Sequence, residues 1–211
     1  MKQLIQFTNS GAFFRDWLFY VTGFNLIPMT DSLKVSLEAF KDSLDETGIE
    51  EKRYWNITCY GFFTQRLTAG YLSPFYEVRI LSKHPLLWNY GSETVLTING
   101  DSVKDIALLM GELFLVHNAT CGNWVQFHRI FGFLPTLLKK YTKIQLRVPT
   151  SMVECYMPVL QRHEIKCTAQ LLENNNKDLS VLFFGSIHYP DSFDYGQPYI
   201  VAKSFRILDS R

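Results

Sequence analysis

The sequence predicts an α+β fold, a three-layer domain in which helices cover the faces of a mixed, mainly antiparallel central sheet. Three observations carry this expectation. Apolar residues recur at spacings of three and four in some segments and alternate in others. Three strand-like runs follow one another between residues 54 and 98, with Gly70 and Ser73-Pro74 supplying turn chemistry between the first two. Of the 211 residues, 47% are hydrophobic and 19% charged, enough apolar side chain to close a core without disulfides or metal. No repeat or compositional shift marks a linker, so residues 1–211 read as a single domain.

Taken in order, residues 2–8 suit a short first strand. Residues 10–22 place Phe13, Phe14, Trp17, Leu18 and Val21 at helical spacing, with Gly23 as a stop. The clearest helical pattern covers residues 32–47. Leu33, Leu37, Phe40 and Leu44 form its apolar stripe, and Lys34–Glu38 and Lys41–Asp45 are opposite charges four apart. Asp31 or Ser32 caps its start, and Gly48, with Ile49 folding back, ends it. Strands are expected over residues 54–63, 75–82 and 93–98, together forming an antiparallel meander. In the second of these, Tyr76, Val78 and Ile80 face one side, Glu77 and Arg79 the other.

Asn99-Gly100-Asp101-Ser102 breaks the strand pattern and caps a helix over residues 103–117. That helix is apolar nearly all the way round and is therefore expected to be largely buried. Residues 124–130 read as a strand and residues 135–141 as a short helix with proline in its first turn. A strand follows over 143–148, then a helix over 151–162 that Pro158 must bend or shorten. Strands at 164–172 and 179–188 are joined as a hairpin by the polar loop 174–178. Residues 189–198 form a loop rich in Pro, Gly and Asp, and 199–207 a last strand.

Net charge is +1, without the basic excess of a general nucleic-acid binder, and no nucleic-acid partner is expected. The run Lys139-Lys140-Tyr141-Thr142-Lys143 suits a solvated helix end. Cys59, Cys121, Cys155 and Cys167 are far apart and form no C-x-x-C, so they read as reduced thiols. Arg15 and Asp16 interrupt the most apolar stretch near the start. It reads as neither signal peptide nor membrane span, which points to a cytoplasmic protein without a membrane partner. Asn56-Ile57-Thr58 and Asn118-Ala119-Thr120 then match the glycosylation pattern by chance.

No motif specifies a reaction. The histidines His84, His117, His128, His163 and His188 include no pair at i, i+4 and no H-E-x-x-H, so no metal is expected; nor does a P-loop or dinucleotide fingerprint suggest another cofactor. The segment of polar residues after the apolar helix is the first candidate site. His117, Cys121, Asn123, Trp124, His128 and Arg129 are its expected ligand-binding residues. Cys121 reads either as a nucleophile with His117 or His128 as base, or as a thiol facing the core. Glu112 is either an ion at the helix–solvent boundary or a buried carboxylate. Trp88, Tyr90, Phe193, Tyr195 and Tyr199 lie in loops and are either a binding surface or plugs on the ends of a sheet.

The order of elements, with strand 144–148, helix 151–162 and strands 165–172 and 179–187 as its closest part, resembles the GNAT acyltransferases. That resemblance implies acyl-coenzyme A as cofactor, held between splayed central strands. The family's R/Q-x-x-G-x-G/A loop finds its nearest match at Arg129-Ile130-Phe131-Gly132-Phe133-Leu134, where Leu134 departs from the small final residue. Asn99-Gly100-Asp101-Ser102 leads into a better helix but carries a carboxylate that would repel phosphate. The sequence as a whole favours a binding or interaction protein, using an aromatic-lined pocket or surface for a small apolar ligand or a protein partner, over an acyltransferase. It leaves the oligomeric state open.

Overall fold

A computed structural model describes residues 2–8, 10, 17–41, 51–67, 70–71, 77–172, 178–185 and 198–210. In chain order its elements are α1 (Lys2–Thr8), β1 (Trp17–Ile27), β2 (Ser32–Lys41), β3 (Lys52–Arg66), β4 (Gly70–Tyr71), β5 (Glu77–Leu81), α2 (Pro85–Trp88), β6 (Glu93–Asn99), α3 (Ile106–Cys121), α4 (Phe127–Phe131), α5 (Leu134–Leu138), β7 (Lys143–Pro149), α6 (Val153–Arg162), β8 (Cys167–Leu172), β9 (Ser180–Gly185) and β10 (Tyr199–Ser210). The chain forms two units, Met1–Lys83 with Asp178–Arg211, and His84–Lys177.

The first unit holds a seven-stranded sheet in the order β4-β1-β2-β3-β10-β9-β5, antiparallel at every pair. Its core side is built from alternate residues: Phe19 and Val21 of β1, Leu33, Val35, Leu37 and Ala39 of β2, Trp55, Ile57 and Cys59 of β3. Residues 32–41 are thus a strand and not the expected helix. A spacing of four is even, so Leu33 and Leu37 share a face in a strand as well as in a helix. Val35, between them, and Ala39, two residues past Leu37, decide the matter, because both are fully buried. Phe40 falls on the opposite face, stacked on Tyr20 with centroids 5.0 Å apart. The expected end of that helix, with Leu44, Gly48 and Ile49, lies outside the described residues.

Two further expectations reverse in this unit. Residues 2–8 are a helix, with Leu4 and Thr8 buried one turn apart and Phe7 packed on Trp17 and Trp55 at 4.9 and 5.3 Å. Residues 17–22, expected to be helical, belong to β1; Phe13 and Phe14 lie outside the described residues. The 54–63 strand stands, extended to Lys52–Arg66. The meander does not: β3 pairs with β2 and β10, β5 pairs with β9, and β6 belongs to another sheet. Gly61 opposes Lys203 with φ +58°, a conformation that glycine adopts without strain, and the register then shifts past Phe63.

The second unit holds a three-stranded antiparallel sheet in the order β7-β6-β8. Leu96 and Ile98 of β6 and Ile144, Leu146 and Val148 of β7 face its core, joined by Leu109 and Leu113 of α3 and by Tyr156, Val159 and Leu160 of α6. The intervening Lys143, Gln145 and Arg147 are exposed, so the helices cover one face of this sheet. The α+β class with antiparallel sheets is therefore present, as two sheets instead of one central sheet. The expected 164–172/179–188 hairpin is absent, because β8 and β9 lie in different sheets. Residues 127–131 are helical, not a strand, whereas the expected 135–141 helix is seen as Leu134–Leu138 with Pro135 in its first turn. Helix α6 runs through Pro158 for ten residues.

Candidate functional site

Asp105, not the Asn99–Ser102 turn, caps α3, its carboxylate accepting from the Leu108 amide at 2.9 Å. Asn99 to Ser102 close a separate 3-10 turn over Gly100–Ser102. The helix then runs to Cys121, one turn beyond the expected end. This extension determines what the candidate site is. Leu109, Leu113, His117 and Cys121 recur every four residues and form the single buried stripe of α3. His117 and Cys121 are therefore last-turn core residues and not part of a loop.

His117 is 1% exposed and fully hydrogen-bonded. Its Nε2 lies 2.6 Å from the Val125 carbonyl oxygen and its Nδ1 2.6 Å from the Tyr156 hydroxyl of α6. A carbonyl only accepts, so Nε2 carries the proton and Nδ1 accepts from Tyr156. Burial keeps the ring neutral by lowering its pKa, only partly offset by the Val125 bond. Cys121 Sγ lies 3.4 Å from that same Nε2, and its thiol also faces the His117 carbonyl at 3.3 Å. The nitrogen nearest the sulfur thus already holds a proton and cannot accept another. Burial pushes the thiol up to about 12, against a lowering contact with the Val125 backbone, and the Cys155 charge adds to the rise. A neutral, buried pair of this kind does not generate a thiolate, and the His117–Tyr156 bond ties α3 to α6.

Of the other expected site residues, Trp124 is buried, its ring edge-on to His84 at 4.9 Å and its carbonyl accepting from Asn89 Nδ2 at 2.8 Å. Asn123, His128 and Arg129 are exposed. The structure brings His117 and Cys121 together and leaves those three at the surface. Tyr156 is the residue that sequence reasoning missed; it stands 39 positions from His117, so no local signal could pair them. Continuing the Leu109–Leu113 spacing, however, would have placed His117 and Cys121 on the buried stripe. Glu112 is half-buried, its Oε2 bonded by Arg162 Nη2 at 2.8 Å and Nε at 3.1 Å with His163 Nε2 at 3.5 Å. Of the loop aromatics, Trp88 packs on the core of the second unit, Tyr199 opens β10, and Phe193 and Tyr195 lie outside the described residues.

Two surface features remain in the second unit. The first is the outward side of α3. Although apolar residues surround this helix, Leu108, Phe114 and Leu115 are 54%, 49% and 67% exposed. Glu112, the helix's one charged residue, is turned to Arg162 and His163, so the outward side carries no ion. The expectation of a largely buried helix fails on this side. The second feature is an open groove of about 460 Å³ where β6, β7 and β8 end, lined in part by Thr97, Asn99, Lys143, Lys166 and Thr168.

Neither feature lies at Arg129–Leu134. There the Gly132 amide donates to the His128 carbonyl at 2.9 Å, a helical bond that leaves this amide unavailable to a phosphate. No helix among the described residues is long and apolar enough to cross a membrane. Compared with known proteins, the chain matches no family model, no curated protein and no solved structure.

Proposed function

We propose that this is a protein-interaction module that engages the apolar side chains of another polypeptide through the outward side of α3. One observation carries the reading: Ala107, Leu108, Gly111, Phe114 and Leu115 make an exposed helix side without a charge. Surface helices ordinarily present charged or polar residues to water, and contiguous exposed apolar area marks interaction sites. The side is firmly supported, because Phe114 packs edge-on to Phe127 at 5.4 Å, and Phe127 in turn contacts His117 and Phe131 at 5.3 and 5.0 Å. At its centre Gly111 leaves open space, since a Cβ built there would meet nothing within 4 Å. Glycine in a helix interior costs about 1 kcal/mol relative to alanine, and here it opens a notch between Leu108 and Leu115 into which a partner side chain fits.

Leu108→Glu and Leu115→Glu test this, with Met29→Glu as the control, since Met29 is 99% exposed in the first unit. Proteins retained by the parent chain and by the control, but lost by both α3 variants, are purified and their affinities measured directly. The expected loss is at least about tenfold, the scale of a charge placed in an apolar interface centre. Folding stability should move by no more than about 0.5 kcal/mol, because these side chains are solvent-exposed. Unchanged affinity in both variants overturns the reading. So does a large loss of folding stability, which would show that the chain itself covers this side. Sedimentation of the parent chain alone reports whether the partner is a second copy.

A further inference from the structure

We propose that the groove at the ends of β6, β7 and β8 binds a small phosphate monoester carried on a hydroxyl-rich body, a site separate from the α3 surface. The register builds it. Lys143 of β7 stands directly opposite Asn99 of β6, and Ile98 pairs with Cys167 of β8. The next position on that side is Lys166, whose carbonyl accepts from the Asn99 amide at 3.0 Å. Lys143, Asn99 and Lys166 thus form one row across the end of the sheet, on the face that the helices leave open. Thr97 and Thr168, opposite one another, form the next row on the same face. The two lysines stand two strand spacings apart, about 10 Å between Cα atoms. Ammonium groups on four-carbon stems therefore reach a single phosphate from both sides.

Three cations of this unit lie against carboxylates. Lys104 is bound to Glu164 at 2.6 Å, Arg162 to Glu112 at 2.8 Å, and Arg147 lies 4.0 Å from Glu93. Among the described residues, neither Lys143 nor Lys166 is within ion-pair distance of a carboxylate, yet both line one concavity. Its volume, about 460 Å³, is in the range of small-molecule sites. The floor is held by backbone bonds, Asn99 to Lys166 and Gly100 to the Thr142 carbonyl at 2.8 Å, so the polar groups stand on paired strands.

Asp101 on the rim sets the class of ligand. Its amide is bonded to Asn99 Oδ1 at 3.1 Å, and the residue lines the groove. A carboxylate on the rim opposes each added negative charge, so it disfavours a nucleoside triphosphate, with about four charges, more than a monoester with about two, which the two lysines offset; it also accepts hydrogen bonds from ligand hydroxyls. Two cations for the phosphate, with two threonine hydroxyls and a carboxylate for a polyol, match a sugar phosphate.

The test is amide chemical-shift titration of the full chain at constant ionic strength, with ribose 5-phosphate, ribose and inorganic phosphate as separate probes. Saturable shifts at Asn99, Gly100 and Thr168 are expected with ribose 5-phosphate, and weaker ones with inorganic phosphate and with ribose. The double variant Lys143→Gln/Lys166→Gln should weaken ribose 5-phosphate at least tenfold. Lys104→Gln, which removes a lysine already paired with Glu164, should leave it unchanged. Absence of saturation up to about 10 mM overturns the proposal. An equal loss in Lys104→Gln also does so, since it would mean nonspecific charge attraction. Binding of inorganic phosphate as tight as ribose 5-phosphate would assign the groove to the free ion and overturn the ester reading.

Discussion

The hydroxyl of Tyr156 on α6 lies 2.6 Å from Nδ1 of His117 on α3, with the two rings nearly parallel at 8°. Both side chains are buried, and the contact fixes the tautomer of the imidazole by occupying its one acceptor nitrogen. Tyr156→Phe keeps the ring and strands that nitrogen without a donor. The expected cost is about 1–3 kcal/mol in urea unfolding. A change under about 0.5 kcal/mol, the level of an ordinary surface substitution, would contradict the bond.

Stability should fall in mild acid. Burial lowers the His84 pKa from 6.5 to about 4 and moves His117 in the same direction. In the window between the folded and unfolded values the unfolded chain binds more protons. Stability is therefore fully present above about 6.5 and is lost as the pH falls toward 4. Urea midpoints measured across this window give the slope. His84→Asn should flatten it, since asparagine can replace the ring in accepting from the Leu86 amide, at 3.2 Å in the native chain, without taking up a proton.

Thiol labelling should divide the cysteines by burial. Cys59 and Cys121 are fully buried, and burial pushes each up to about 12. Under native conditions iodoacetamide should modify Cys121 no faster than Cys59, and both should react readily only after denaturation. Rapid, selective native alkylation of Cys121 would restore the nucleophile reading.

Gly132 and Arg129, the two residues that fit the acyltransferase loop, should differ sharply in their response to substitution. A Cβ on Gly132 would collide with the backbone oxygen of His128, which cannot swing away as a side chain does. Gly132→Ala is expected to cost about 1–3 kcal/mol. Arg129 is exposed, and Arg129→Ala should stay within about 0.5 kcal/mol in urea unfolding. Tolerance at Gly132 would argue against this packing.

The strand identity of residues 32–41 is open to a comparison of neighbours. Val35 is fully buried and Lys34 exposed. Val35→Ala should cost about 1–3 kcal/mol and Lys34→Ala almost nothing. Under a helical reading Val35 would lie off the Leu33–Leu37–Phe40 stripe, and its truncation would be mild.

Local pattern is enough to read the α+β class and several elements with their sides. Lys143–Pro149 declares alternation plainly, with Ile144, Leu146 and Val148 inward, and Pro135 and Pro158 sit in helices that the pattern places. Local periodicity suffices there because only one period fits the residues. Tertiary structure decided the rest. Leu33 and Leu37 satisfy both periods, and β2 is a strand because β1 and β3 pair with it along nearly its whole length. Hydrogen-bonding partners distant in sequence outweigh intrinsic propensity in such a segment. The site followed the same rule. His117 and Cys121 were legible as polar residues after an apolar run, but their role depended on Tyr156 and on the Val125 carbonyl. Lys143 and Lys166 became a pair only when β6 entered the sheet between their strands. Contacts between residues remote in sequence leave no local pattern, because they depend on the path of the chain through space.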